Sequence, residues 1–441
     1  MTNVKDYGAA GDGSTDDTSA IQAALTAADA AHDFVYFPPG VYIVNHTLAL
    51  SGHSSAIHGA GAKRTSTPNG GAPQGTVIKA INQTGPVLDF TGFKFPDSHR
   101  GRITFGGFAV QGDGASDATK AHSGISIPIG ESANFTDIAI EQTGGPGLDI
   151  GRVYLSDFNR ITIVTPVDAS ANDVPYLRAT ATNGCRFIGV GLRSMTPVGN
   201  TTTADVGATG ALVVQESASY EPERNLWLGC WAENLHVPSG GTIVLHRGGD
   251  NVIDSFQFFD CGKVSGATGT AYFRFQAPAV NGTNGGNQLR GVIPGLNTSA
   301  TAIDVGVDMQ HSRNSVFGVK GYKGGNVRLA SGVEYVTVLL TGSESQATTN
   351  TAPAVIDNSG MLTNTVIDLM AGLFQLPQAA TFRLGADTTV QRAGVGTVNV
   401  GRLAVTNAAS ASALGTVVRK IQVFDAAGTS LGYLPVVSES S

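Results

Sequence analysis

Asn225-Leu226-Trp227-Leu228-Gly229-Cys230-Trp231-Ala232-Glu233 is followed, 26 residues on, by Asn251-Val252-Ile253-Asp254-Ser255-Phe256-Gln257-Phe258-Phe259. The two stretches share one layout. Each opens with Asn, and the second, fifth and seventh residues after that Asn are small or apolar. Four more segments fit, starting at Asn159, Asn183, Asn287 and Asn314. Position +2 then reads Ile161, Cys185, Trp227, Ile253, Leu289, Val316, and position +5 reads Val164, Ile188, Cys230, Phe256, Val292, Val319. Position +7 is mostly apolar or small: Pro166, Val190, Ala232, Phe258, Pro294, Gly321. Successive starts lie 24, 42, 26, 36 and 27 residues apart. A unit of about 25 residues at strand period cannot bury its own apolar face, but stacked copies make one continuous core. The pattern predicts an all-β solenoid, a parallel β-helix, over residues 45–345. Ile161, Ile188, Cys230, Phe256, Val292 and Val319 should lie inside.

The composition agrees. Charged residues make up 14 % of the 441 residues, against about 25 % in ordinary globular chains. The 58 glycines suit many tight turns. A net charge of −7 without a Lys/Arg run speaks against nucleic-acid binding. No apolar stretch is long enough for a membrane span, so membrane insertion is not expected. Met1-Thr2-Asn3-Val4-Lys5-Asp6-Tyr7 lacks the apolar core of a signal peptide, so an extracellular role calls for release by lysis. Cys185, Cys230 and Cys261 form no CxxC and are expected as small buried residues. His122, His236, His246 and His311 show no metal spacing; neither a metal nor a cofactor is expected.

One helix is predicted. Asp16, Asp17 and Thr18 offer N-caps before the alanine-rich run from Ala20, and its apolar face should cover the open end of the stack. Residues 1–44 are therefore expected to form an N-terminal cap with the first strands. Residues 346–441 should form a C-terminal β region serving trimerisation, because runs such as Ile421-Gln422-Val423-Phe424 are too short to bury a core alone.

Residues 4–44 closely resemble the start of the pectate-lyase-like β-helix family found in phage tailspikes and polysaccharide depolymerases. The matching residues are Val4-Lys5-Asp6-Tyr7-Gly8-Ala9, Gly11-Asp12-Gly13, Asp16-Asp17-Thr18, Ala20-Ile21 and Phe37-Pro38-Pro39-Gly40-Val41-Tyr42. Ile57-His58-Gly59-Ala60-Gly61 fits the family's Ile-x-Gly-x-Gly turn. Near the other end, Phe382-Arg383-Leu384-Gly385-Ala386-Asp387 with Gly396-Thr397-Val398-Asn399-Val400, and the run from Arg419 to Val436, resemble segments common in phage tail proteins.

The resemblance implies a right-handed helix and a homotrimeric tailspike that binds and hydrolyses a bacterial surface polysaccharide, located in the virion tail or outside the cell. Other phage tail proteins are further candidate partners. Fold alone leaves the reaction open. A lyase acting on a uronic-acid glycan and a non-catalytic receptor-binding or structural tail protein are the alternatives. The Asn-Thr-Asp, Asp-Asp and Gly-His-Gly set of polygalacturonases is absent, as are the clustered calcium-binding carboxylates of true pectate lyases. Many tailspikes carry an N-terminal attachment domain, whereas this sequence starts at the β-helix.

Equal positions in neighbouring coils sit about 4.8 Å apart. With +5 and +7 inside, +6 and +8 face out, as does +3. Those columns gather Trp231, Gln257 and Lys320 at +6, Glu233 and Tyr322 at +8, and Arg186, Asp254 and Arg290 at +3. Sugar-binding grooves use such rings, guanidinium groups and amides. The expected substrate contacts are therefore Arg186, Trp231, Gln257, Arg290, Lys320 and Tyr322. Glycoside hydrolysis needs two carboxyl groups. Glu233 and Asp254 are the first pair, with Glu216 and Glu223 from the inserted stretch 215–224 as further catalytic candidates; Glu221 and Asp260 stand behind them. Trp227, at +2, belongs to the core.

Overall fold

The computed structural model describes residues 1–52, 56–62, 75–94, 103–112, 123–165, 173–194, 206–278, 285–291, 293–294, 303–318 and 327–340. Beyond these it describes short segments between 355 and 437. Two compact units are present, residues 1–374 and residues 375–441.

The first unit is a parallel β-helix whose coils have three flat sides. Side one is built from strands such as Arg186–Ile188, Leu226–Leu228, Val252–Asp254, Gln288–Arg290 and Ser315–Phe317, each paired in parallel with the next. Side two holds Gly191–Ser194, Trp231–Glu233, Gln257–Phe259 and Ile293–Pro294. Side three is an eleven-stranded sheet running from Leu48–Gly52 to Val355–Asp357. In the early coils, Ala133–Glu141 and Asp157–Thr165 pass round from side one to side two as single strands.

The corner between sides one and two explains why +2 and +5 both point inward although they lie three residues apart. The residue between them is left-handed in coil after coil: Asp137, Arg160, Gly189, Gly229, Ser255, Gly291 and Gly318 have φ of 53°, 50°, 61°, 58°, 56°, 58° and 63°. One such residue turns the chain and resets the alternation. A second left-handed column, including Leu155, Arg224, Asp250, Arg313 and Tyr335, makes the corner leading into side one.

Pairing corrects the sequence register at two coils. Asp157, Arg186, Leu226, Val252, Gln288 and Ser315 stand in line. The residues equivalent to Asn225 in the two earlier coils are therefore Ser156 and Cys185, not Asn159 and Asn183. The four later asparagines are in register and form a buried ladder. Asn225 N–H donates to Asn251 Oδ1 at 3.0 Å, Asn251 N–H to Asn287 Oδ1 at 3.1 Å, and Asn287 N–H to Asn314 Oδ1 at 3.2 Å. Cys185 N–H starts the series on Asn225 Oδ1 at 3.0 Å.

In the correct register the inward +2 column is aromatic and then aliphatic. Phe105, Phe135, Phe158, Phe187 and Trp227 stack with centroids 5.0, 5.2, 4.8 and 3.7 Å apart. Buried Ile253, Leu289, Val316, Val338 and Val366 continue the column. Ile161, Cys230 and Phe256 are buried as expected. Ile188 is half-buried and shares the outward +3 column with Leu228. Val292 and Val319 lie outside the described residues. All three cysteines are buried and form no disulfide, and burial pushes the thiols of Cys230 and Cys261 up to about 12.

The predicted helix is Thr18–Ala31, with Ile21, Ala24, Leu25 and Ala28 sunk into the common core. Asp17 caps no helix N–H with its side chain; its carboxylate accepts the Ala10 and Gly11 N–H groups at 2.6 and 3.0 Å, tying the preceding loop to the helix start. Coil stacking continues past residue 345. Val355–Asp357 pairs with Val327–Leu329, and Thr365–Asp368 with Thr337–Leu340. The second unit is antiparallel throughout its described strands. Thr381–Arg383, Thr389–Gly394 and Thr397–Gly401 form one sheet, and Val417–Phe424 pairs with Ser430–Val437 in another.

Candidate functional site

Four consecutive strands of side three end alike: Leu212-Val213-Val214-Gln215, Val244-Leu245-His246-Arg247, Phe273-Arg274-Phe275-Gln276 and Val307-Asp308-Met309-Gln310. The first and third residues of each point into the core and are buried. The second and fourth therefore face out. This alternation builds two parallel columns on the outer face, and they differ in character.

The second-residue column is sealed. Val213 and Leu245 are buried, and Asp308 is fully buried between two guanidinium groups. Arg274 Nε donates to Asp308 Oδ2 at 3.0 Å, and Arg328 Nε donates to Oδ1 at 2.9 Å. Burial alone would raise the Asp308 pKa, but the two arginines outweigh it and hold the carboxyl below its usual range. Arg274 also donates to the Gly240 and Gly269 carbonyls, at 2.5 and 2.8 Å, fastening two turns over this column. Asp308 is thus committed to structure. Asp149 is likewise held by Arg178, at 2.9 and 2.5 Å.

The fourth-residue column is open and polar. Gln215 Nε2 donates to Thr180 Oγ1 at 3.3 Å, and Arg247 donates to Gln276 Oε1 at 3.0 and 2.9 Å. Gln276 Nε2 donates to Gln310 Oε1 at 3.1 Å. The ladder from Thr180 to Gln310 crosses five coils, roughly 19 Å at about 4.8 Å per coil. Among the described residues the Arg247 guanidinium meets an amide, not a carboxylate. Its Nε–Nη2 edge is taken by Gln276, and Nη1 has no described bond.

The ladder runs into a cleft of about 340 Å³ lined by Gln310, His311, Arg313, Gly332, Glu334 and Tyr335, among others. Two turns define it. Arg313 N–H donates to the Glu334 carbonyl at 2.9 Å, and Glu334 N–H to Ser312 Oγ at 2.9 Å. Both bonds use Glu334 main chain. Tyr335, left-handed at φ 56°, presents its ring with 56 % exposure. His311 is buried behind the wall. Among the described residues no three His, Cys, Asp or Glu side chains gather as metal ligands.

The structure distributes the sequence-predicted residues over different sides. Arg186 lies at +1, not +3, on side one, where it forms an ion pair with Asp157 at 2.6 and 2.5 Å. Asp254 and Arg290 face out from side one, Asp254 accepting Ser255 Oγ–H at 2.8 Å and Arg290 bonding to Gln288 of its own coil. Trp231, Gln257 and Glu233 belong to side two. Glu233 pairs with Arg193 at 3.3 Å. Trp231 is half-buried and lies flat over Gly191, where a Cβ would come within 2.1 Å of its ring. The left-handed corner at Gly229 and Ser255 lies between Asp254, on side one, and Glu233, on side two. Glu223 lies in the corner before side one, bridged to Asn183 and Gly249. Glu216 directly follows Gln215 and stands beside the ladder. Asp260 lies in the corner after side two, at φ 47°. Trp227 is core. Lys320 and Tyr322 lie outside the described residues.

Sequence reading therefore overlooked Gln215, Arg247, Gln276, Gln310 and the Glu334–Tyr335 turn. A signal for the ladder was present: apolar–x–apolar–polar at three strand ends, with His246 in the third position of the fourth, which emerges only when strands are aligned with one another and not on the asparagines.

Comparison with known proteins agrees with this architecture. Residues 1–93 match the family described as rhamnogalacturonase A/epimerase, pectate lyase-like. The chain folds as a right-handed parallel β-helix whose first 93 residues match that family. This β-helix is 48 % identical over 82 residues to alginate lyase 7 of Azotobacter vinelandii, a match covering 18 % of this chain and 9 % of that protein. It is 46 % identical over 82 residues to the mannuronan C5-epimerase AlgE3 of the same organism, covering 4 % of that protein. Among solved structures, ORF18 of Geobacillus virus E2 is similar at TM-score 0.49 and 15 % identity, covering 99 % of this chain and 76 % of that one.

Proposed function

We propose that this chain is a tailspike-like depolymerase that binds an extended, acidic bacterial surface polysaccharide along the outer face of side three and cleaves it in the cleft beyond Gln310. One observation carries the reading: the aligned polar column Thr180, Gln215, Arg247, Gln276 and Gln310, bonded as Thr180–Gln215 and as Arg247–Gln276–Gln310, leads into a cleft holding Arg313, Glu334 and Tyr335. Amides in register suit successive sugar hydroxyls, and Arg247 suits a sugar carboxylate. The sequence likeness to alginate lyase 7 and to a mannuronan epimerase supports a uronic-acid glycan, and the C-terminal tail-protein resemblance supports the tailspike setting.

Two chemistries are in play. Hydrolysis needs a pair of carboxyl groups; the cleft lining contributes one, Glu334, and Glu216 and Glu223 stand four coil steps away, roughly 19 Å at about 4.8 Å each, so the second acid has to come from elsewhere, such as a neighbouring chain. Elimination from a uronic acid needs a cation on the sugar carboxylate and a base at the adjacent C–H. Arg313 supplies the first, and Tyr335 or Glu334 the second. The cleft as built favours elimination. The test is incubation with a panel of acidic surface polysaccharides and mass spectrometry of the products. Unsaturated ends absorbing in the ultraviolet support elimination; saturated reducing ends establish hydrolysis. Absence of any product across glycans that bind leaves a receptor-binding protein and refutes cleavage.

A further inference from the structure

At the end of the ladder remote from the cleft, a ring is held in place by an arginine. Tyr220 lies in the turn that follows Gln215, and its ring reaches back to the strand Leu148–Tyr154, where the Arg152 guanidinium sits 5.0 Å from the ring centroid. The turn is fixed by its own serine: Ser217 Oγ accepts the Tyr220 N–H at 3.1 Å, and Ser217 N–H donates to the Tyr220 carbonyl at 2.8 Å. Arg152 has no carboxylate partner among the described residues, and its Nε is buried without a hydrogen bond. The guanidinium therefore has the ring as its main described contact. Tyr220 is nevertheless 47 % exposed, and Ile129, paired in register with Arg152, is 57 % exposed. Stability gives no reason to leave an aromatic ring and an isoleucine open to water.

We infer that Tyr220, braced by Arg152, is a second sugar platform at the far end of the same face, so that the glycan is gripped by a ring at each end, Tyr220 and Tyr335. This inference rests on the proposed reading of side three. Arg152 occupies one face of the Tyr220 ring, leaving the other to the C–H face of a pyranose. The ring is already ordered by its turn and its arginine, so little freedom is lost on binding. From the coil of Thr180 to that of Leu329 is five coil steps, roughly 24 Å at about 4.8 Å each, or about five pyranose units. Tyr220 should therefore be felt by long chains and not by short ones.

Calorimetric titration of the full chain with mannuronate, guluronate and galacturonate oligomers, as trisaccharides and octasaccharides, tests this. Tyr220→Ala is expected to weaken octasaccharide binding roughly three- to tenfold and to leave trisaccharide binding unchanged; Tyr220→Phe should behave as wild type. An equal effect at both lengths, or none at either, overturns the platform. If the wild-type protein binds no oligouronate of any length, the reading of side three fails and the platform with it. Should Tyr220→Ala fold poorly, Arg152→Met, which frees the ring, is expected to show the same length-selective loss.

Discussion

Asn251→Leu removes the centre of the asparagine ladder without emptying its site. In the native chain Asn251 Oδ1 accepts Asn225 N–H at 3.0 Å and Asn225 Nδ2–H at 2.9 Å. Its Nδ2 donates to the Gly249 carbonyl at 2.8 Å, the Pro222 carbonyl at 3.0 Å and Asn287 Oδ1 at 3.1 Å. Some of these groups keep other partners. Pro222 O still accepts Gly249 N–H, Asn225 Nδ2 still reaches Thr182 O, and Asn287 Oδ1 still accepts Asn251 N–H. The buried Asn225 N–H and the Gly249 carbonyl lose the bonds described for them. Two orphaned groups at about 1–3 kcal/mol each, with part recovered by burying leucine, give a net loss of about 3 kcal/mol. Urea unfolding followed by fluorescence of Trp227, which lies in the adjoining coil, measures it. Asn159→Leu is the matched control: Asn159 stands outside the ladder, half-buried, with one described side-chain bond of 3.3 Å to Asn134, and should cost under about 1 kcal/mol. Equal costs at the two positions, or an Asn251 variant as stable as wild type, would refute the register.

The remaining expectations concern charge and the site. His246 is buried in the core column, neither ring nitrogen meets a described partner, and burial followed by nearby His311 holds its pKa down from 6.5 to about 3. A depressed imidazole favours the uncharged fold, so its contribution is complete above about pH 7 and is lost as pH falls from 6.5 toward 3, by about 1.4 kcal/mol per pH unit at most; His246→Leu should flatten that part of the urea-midpoint profile. Arg247→Ala should weaken binding of an acidic oligosaccharide by about 2 kcal/mol in titration calorimetry and leave the thermal midpoint nearly unchanged. Trp231→Ala should uncover Gly191 and lower stability by about 1–2 kcal/mol while glycan affinity stays at the wild-type value; a large affinity loss would return the groove to side two. Glu334→Gln, which keeps both main-chain bonds of its turn, should cost turnover about a hundredfold or more with no change in unfolding midpoint.

The β-helix could be read in the sequence because its inward columns carry a signal that repeats: Trp227, Ile253, Leu289 and Val316 share a position, and four buried asparagines mark the same corner. The register failed at Asn159 and Asn183 because the ladder there is carried by Ser156 Oγ and the Cys185 main chain, groups with no asparagine to count from. The corner was illegible for a related reason. A left-handed residue is glycine in four of the seven coils named and Asp137, Arg160 or Ser255 in the others, so no residue type announces it. Without the corner, +3 and +6 look like one surface. Trp231, Gln257 and Glu233 were thereby joined to Asp254 and Arg290, although the chain turns between them. The ladder of side three is written in single polar residues at strand ends, and only strand pairing brings Gln215, Arg247, Gln276 and Gln310 into line.

The position of a bound glycan tests the central claim most directly. A crystal structure of the Glu334→Gln protein soaked with an acidic octasaccharide should show the sugar chain on the outer face of side three, with a carboxylate on Arg247 and amide contacts from Gln215, Gln276 and Gln310, its reactive end in the cleft beside Tyr335. A chain lying instead along Trp231 and Gln257 on side two, with Arg247 still bonded only to Gln276, would contradict it.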